Sequence, residues 1–230
     1  PDNDTACLVR VARRNFERAI KVPAEFVARR SSFSSVAYNA WTRARPADDF
    51  AAMRPHLERA VDFSREYAQF FAPFEHITDP LIDGADEGMT TVSVRALFDD
   101  LRGELVPIAK AICDQPMADD TCLRGPFPEA LQLEFSMRAI TSIGYDLARG
   151  RLDKTHHPFC TKFSDGDVRI TTRVREDDFG EALFSSLHEA GHALYEQGVA
   201  GDLVGTPLGH GASAGVHESQ SRLWENIVGR

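Results

Sequence analysis

His188 and His192 stand in the run Leu187-His188-Glu189-Ala190-Gly191-His192-Ala193-Leu194, and its surroundings constrain it to a helix. Phe179, Leu183 and Leu187, continued by Ala190 and Leu194, repeat at helical spacing. The segment from about 176 to 197 is therefore expected to be an amphipathic helix with those residues as its buried stripe. On such a helix the two histidines lie one turn apart on one face, close enough for both imidazoles to reach a single cation. Glu189 sits between them. Two neutral imidazoles with an adjacent carboxylate form the arrangement in which zinc is held and the carboxylate removes a proton from zinc-activated water. Gly191 is a poor helix former, and its presence predicts that another element approaches the ligand face closely.

Two imidazoles leave a zinc ion under-coordinated, so a third ligand is required. The candidate is Glu218, in Gly215-Val216-His217-Glu218-Ser219-Gln220-Ser221-Arg222-Leu223-Trp224-Glu225-Asn226. This run again reads as a helix, with Val216, Ser219/Gln220 and Leu223 along one face. Spacing alone leaves Glu218 a candidate.

The combination of HEAGH at 188–192, HESQSRLWEN at 217–226 and Asp167-Val168-Arg169-Ile170-Thr171-Thr172-Arg173 resembles the carboxypeptidase Taq family of zinc metallocarboxypeptidases. His157-Pro158-Phe159 and the DGADEGMT run at 83–90 also look like segments of that family, so the resemblance covers essentially the whole chain. It implies that His188, His192 and Glu218 are metal ligands, that Glu189 is the catalytic carboxylate, that the metal is zinc or cobalt, and that peptides are the substrates. It also implies a homodimer for the complete protein and places His217 in the pocket. The family's later motifs, an Arg-containing stretch and a Gly/Gln/Trp-containing stretch, do not occur before Arg230. Residues 1–230 are accordingly expected to form a single helical metallopeptidase domain, an incomplete portion of a longer catalytic domain, with weak or absent activity by itself.

Composition narrows the classes further. A net charge of −9, with acidic and basic residues interspersed, offers no footprint for nucleic acid. No apolar run approaches the length needed to cross a membrane, and Pro1-Asp2-Asn3-Asp4 has no signal-peptide layout, so a cytoplasmic location is expected. Cys7, Cys113, Cys122 and Cys160 are too widely spread for a zinc ribbon or redox pair.

Along the chain the helical period dominates. Helices are expected over 5–30 with a bend or restart at Pro23, from a Ser31-Ser32 cap to Pro46, over 48–71, over 92–113 with a kink at Pro107, and over 129–148 with an end at Gly150. Residues 74–89 and 115–128 read as loops. Only 155–175 changes period. There Thr161-Lys162-Phe163 and the run at 167–174 alternate around Ser164-Asp165-Gly166, predicting a short hairpin or edge strand. The fold expected is mainly α, a multi-helix metallopeptidase with a small β-ribbon beside an active-site cleft over which the N-terminal helices pack. Residues 198–215, rich in glycine, read as a flexible loop on the rim of the site.

An exposed strand beside a metal site can pair with an extended peptide through main-chain hydrogen bonds. Asp167, Arg169 and Thr171 on this ribbon, with His157 and His217 as the resemblance implies, are the expected substrate-side residues. On the residues alone, two structural roles stay equally open: Asp167 pairing with Arg169 to brace the ribbon, and a structural His217. Imidazole ligands donate their second N–H to an acceptor, and Glu181 and Glu225 are the nearby candidates. Removing a C-terminal residue needs a group for the free carboxylate, for which Arg169, Arg173 and Arg222 are candidates. The alternatives to a carboxypeptidase are a metalloendopeptidase of similar helical fold and an inactive metal-binding fragment.

Overall fold

A computed structural model describes residues 3–230; Pro1 and Asp2, read above as part of the terminus, lie outside the described residues. The chain forms two compact units, 1–105 and 106–230.

The first unit is helical. Helix α1 (Asp4–Ala19) begins at Asn3, whose side chain accepts from the Ala6 N–H at 2.9 Å. Helix α2 (Ala24–Ala44) restarts directly after Pro23, the second of the two outcomes expected there, and the Ser31-Ser32 cap is not used. The reason is that Pro23, with no N–H of its own, fits a helix start, while serines inside the helix are accommodated by bonding backwards: Ser34 Oγ donates to Arg30 O at 3.0 Å. Helix α3 (Phe50–Gln69) packs on α2 through Phe26, which meets Phe63 and Phe70 at ring distances of 5.8 and 5.1 Å. The expected loop over 74–89 contains a short helix, α4 (Asp79–Ala85), with Pro80 in its first turn. Its Asp83 is clamped by Arg14 at 3.1 Å and Arg18 at 2.5 Å. Burial by itself raises the Asp83 carboxyl, but the Gly88 N–H and the two guanidinium groups outweigh it and hold the group below the usual carboxylate range. Helix α5 (Thr91–Cys113) runs through Pro107.

The second unit carries the chemistry. Helix α6 (Glu129–Ser142) ends earlier than expected because Gly144, at φ +104°, turns the chain before Gly150 is reached. The expected hairpin is present as β2 (Cys160–Ser164) antiparallel to β3 (Asp167–Thr172). A strand that the period did not reveal, β1 (Leu152–Lys154), pairs parallel to β3, giving the order β1-β3-β2. It is only three residues long, too short to establish an alternation. The sheet presses Val168 and Ile170, both fully buried, onto helix α7 (Phe179–Gln197).

Helix α7 is enclosed on all sides: from Asp178 to Gln197 no residue is exposed. Its most buried positions are Ala182, Ser186, Leu187, Ala190 and Ala193, whereas Phe179, Leu183 and Leu194 of the expected stripe are only partly buried. Small residues occupy the deepest positions because backbones come close there. Gly191 is the extreme case. A Cβ on it would lie 2.6 Å from Ser221 Cα and 2.7 Å from Gln220 O in helix α8 (Ala214–Arg222), which is the close approach its presence predicted. The C-terminal end of α7 is pinned by Gln197, which accepts from Asp146 N and donates to Asp146 O, each at 3.0 Å.

Helix α8 starts on Ser213, whose hydroxyl accepts from Val216 N at 3.1 Å, and continues into a π-helical segment, Leu223–Val228. Among the described residues, no helix is long and apolar enough to cross a membrane.

Replacing Gly191 with alanine is expected to force α8 away from α7, lowering stability by about 1–3 kcal/mol and weakening zinc uptake together with it. Denaturant unfolding with zinc titration of the same variant checks this; an unchanged midpoint and affinity would contradict the close-approach account.

Candidate metal centre

Helix α7 sets His188 and His192 side by side, their ring centres 4.9 Å apart, and α8 brings Glu218 up to them. Glu218 Oε2 lies 3.3 Å from His192 Nε2 and 3.8 Å from His188 Nε2. Donor atoms of the three residues all lie within 4.8 Å of one another. Around a tetrahedral zinc, donors at ordinary bond lengths sit roughly 3.4 Å apart, so the separations and the N,N,O donor set both fit a small divalent cation. Glu218's other oxygen is held by Arg222 Nε at 2.9 Å, which fixes the carboxylate with one oxygen toward the histidines.

Each imidazole is also held from behind. His188 Nδ1–H donates to Glu225 Oε2 at 2.9 Å, which leaves the Nε2 lone pair of a neutral His188 facing the cluster. Glu225 sits in the π-helical segment and is shared with Arg222 at 3.2 Å and Arg230 at 3.0 Å; π-turns are rare and concentrate at functional sites. Burial by itself raises the Glu225 carboxyl, but hydrogen bonds from His188 and Arg230 bring it below its ordinary value. Of the two glutamates expected behind the ligands, then, Glu225 takes the place. Glu181 pairs with Arg173 at 2.5 Å. His192 is backed by His217, with the two Nδ1 atoms 2.6 Å apart, and His217 Nε2–H donates to Glu196 Oε1 at 2.9 Å.

The cluster opens onto a cavity of about 410 Å³ lined by His157, Pro158, Phe159, Cys160, Lys162, His188, Glu189, His192, Glu196, His217 and Glu218. Glu189 is only 6 % exposed. Burial first, and then the negative charges of Glu218 and Glu225, push its carboxyl up to about 7. Cys160 is pushed up to about 12, chiefly by burial and then by Glu189 and Glu196, so it stays a protonated thiol in the wall.

The remaining expected residues separate into two groups. His157 and His217 line the cavity. Asp167 and Arg169 do not; they form a two-point ion pair with each other at 2.8 and 2.7 Å. Thr171 is also off the cavity wall, but its hydroxyl accepts from Phe159 N at 2.9 Å and so ties the His157-Pro158-Phe159 loop to β3. The arginines considered for a substrate carboxylate are all engaged elsewhere, Arg169 with Asp167, Arg173 with Glu181 and Arg222 with Glu218. Sequence reasoning missed Glu196 and Lys162 in the cavity wall. Glu196 falls one turn after His192, the signal by which it is found.

With this geometry established, similarity to known proteins decides the family. A family model described as carboxypeptidase Taq (M32) metallopeptidase matches residues 2–230. The chain belongs to that family. Among M32 relatives, it is 41 % identical over 240 residues to thermostable carboxypeptidase 1 of Thermus thermophilus, covering 100 % of this chain and 47 % of that protein. A crystal structure of an M32 carboxypeptidase from Deinococcus radiodurans R1 is 51 % identical with a TM-score of 0.83, over 99 % of this chain and 47 % of that one. A carboxypeptidase 1 from Bacillus subtilis is 38 % identical over 228 residues, covering 99 % of this chain and 46 % of that protein. The chain thus spans about half the length of the M32 relatives it matches. The mainly helical fold with its small sheet is the M32 fold.

Removing the Glu225 carboxylate as Glu225→Ala leaves His188 Nδ1–H without its acceptor, and zinc affinity is expected to fall about 10- to 100-fold. Chelator-competition titration of the variant reads this directly; an affinity equal to wild type would show that the contact does not orient His188.

Proposed function

We propose that residues 1–230 are part of the catalytic domain of a zinc-dependent metallocarboxypeptidase that releases C-terminal amino acids from peptides. The observation that carries this reading is the convergence of His188, His192 and Glu218 on one cavity whose wall also holds Glu189. Membership of the M32 family supports it. Zinc, or cobalt with the same taste for nitrogen and oxygen donors, would be held by those three side chains and would supply Lewis acidity, polarising the scissile carbonyl and acidifying water.

The chain's own residues do the rest. Glu189 takes a proton from the attacking water and returns it to the leaving amine, being the buried carboxylate next to the ligands in the cavity wall. Glu225 keeps His188 in the ring orientation the cluster needs. Strand β2 is an edge of the sheet, and its Cys160 and Lys162 line the cavity. An extended peptide laid along that edge is held by its main chain irrespective of its side chains. His157, on the loop that Thr171 anchors, faces the same space and contacts the substrate; the Asp167–Arg169 pair braces the strand behind it.

One observation favours keeping the endopeptidase reading as a second choice. Lys162 is the one Lys or Arg among the cavity-lining residues, and its ammonium is already held by Glu196 at 3.0 Å and Gly209 O at 3.0 Å. No uncommitted cation in this wall waits for a substrate's terminal carboxylate.

A peptide ladder with free and with amidated C-termini separates the readings. Stepwise shortening of the free peptide alone is expected, and Glu189→Gln should keep its zinc while losing about 10²- to 10⁴-fold in turnover. Cutting of the amidated peptide would favour the endopeptidase, and zinc binding with neither activity would identify a metal-binding fragment. Retained turnover in Glu189→Gln would remove that residue from the mechanism.

A further inference from the structure

His192 differs from His188 in what stands behind it. His188 meets a carboxylate directly, whereas His192 meets a second imidazole, which in turn meets a carboxylate, which meets an ammonium. The line runs from His192 Nδ1 to His217 Nδ1 at 2.6 Å, from His217 Nε2 to Glu196 Oε1 at 2.9 Å, and from Glu196 Oε2 to Lys162 Nζ at 3.0 Å. The line is largely sheltered: the four side chains are between 13 and 23 % exposed.

With both imidazoles neutral, donor and acceptor chemistry allows one order of protons along this line. An ammonium has donors only, so Glu196 facing Lys162 is a carboxylate and an acceptor. The hydrogen between Glu196 and His217 therefore sits on His217 Nε2. A neutral His217 then presents a bare lone pair at Nδ1, and the hydrogen in the short contact to His192 must come from His192 Nδ1. That leaves His192 with its only lone pair on Nε2, the atom 3.3 Å from Glu218 Oε2. The opposite order would put a hydrogen on Nε2, pointing into the cluster, and remove a ligand from it.

The ring of His217 is also held in place sterically. A Cβ on Gly211 would come within 2.8 Å of His217 Cδ2, and Tyr195 packs edge-on to the same ring with centres 5.0 Å apart. Tyr195 in turn accepts from Ala212 N at 3.1 Å, tying that loop to α7. Both nitrogens of His217 are engaged, so it offers a substrate only its face.

We propose that Glu196, anchored by Lys162, acts through His217 as a positioning residue that fixes the His192 tautomer and thereby sets how tightly the centre holds its metal. This rests on the reading of His188, His192 and Glu218 as ligands. It also joins the edge strand to the metal ligand, because Lys162 belongs to β2 and His192 to α7.

Long-range proton–nitrogen spectra of the metal-free 230-residue chain, labelled at histidine, report each tautomer, and chelator competition reports the zinc dissociation constant. The wild type is expected to show His192 as the Nδ1–H form and His217 as the Nε2–H form. In Glu196→Leu both rings should become tautomer mixtures and zinc binding should weaken about 10- to 100-fold, with His188 unchanged. His217→Phe, read beside its circular dichroism, should free the His192 tautomer in the same way and guards against a folding defect peculiar to position 196. His192 carrying its hydrogen on Nε2 in the wild type, or tautomers and affinity unmoved in folded Glu196→Leu, would overturn the proposal. The tautomers decide it whether or not zinc binds; the assigned tautomers in a wild-type chain that takes up no zinc would instead contradict the ligand reading.

Discussion

The approach of α8 to α7 at Gly191 is the constraint on which the rest of the centre depends. A helix pair normally stands 8–10 Å apart, kept there by side chains. Here one helix has no side chain at the crossing, and the backbone of the other occupies the place, with Ser221 Cα and Gln220 O where a Cβ would be. Only at that separation does a glutamate on α8 reach two histidines on α7. The intrinsic cost of glycine inside a helix, about 1 kcal/mol, is offset by burial of α7 against α6, α8 and the sheet. The small residues Ala182, Ser186, Ala190 and Ala193 serve the same end on the faces turned to its neighbours.

Charge is the second organising element. Three carboxylates, Glu189, Glu196 and Glu218, line the cavity, and a fourth, Glu225, stands behind His188. Three have cationic partners: Glu196 has Lys162, Glu218 has Arg222, and Glu225 has Arg222 and Arg230. Glu189 is raised by its neighbours' charge as well as by burial. A cluster of this composition would attract a divalent cation electrostatically as well as by ligand geometry, since the ion's charge would be the largest in the site. The long-range layout is one in which each side chain of the three-residue cluster is fixed by a further partner, Glu225 for His188, His217 for His192 and Arg222 for Glu218.

Much of this was legible in the sequence, for definite reasons. The period of α7, the helical spacing of His188 and His192, and the role of Gly191 follow from backbone geometry alone, which is local. The β2–β3 hairpin was readable from its alternation and its Ser-Asp-Gly turn. What was not legible depends on distance in space. Glu181 and Glu225 looked alike as acceptors for a histidine, and Arg173 captures the first while the π-helical turn delivers the second. The Lys162–Glu196–His217 line joins a strand, a helix and a second helix, and no spacing rule connects them. Strand β1 was too short to show a period, and Ser31-Ser32 suggested a cap because serines favour helix starts, although the helix had already restarted at Pro23. Asp167 and Arg169, two residues apart on a strand, share a face and pair with each other.

The most direct test is the metal content of the 230-residue chain after zinc loading and dialysis, measured beside Glu218→Ala. About one zinc per wild-type chain, with marked loss in the variant, is the result expected if α7 and α8 together preform a three-ligand centre. A wild-type chain that retains no zinc, or a Glu218→Ala chain that retains as much as wild type, would contradict it.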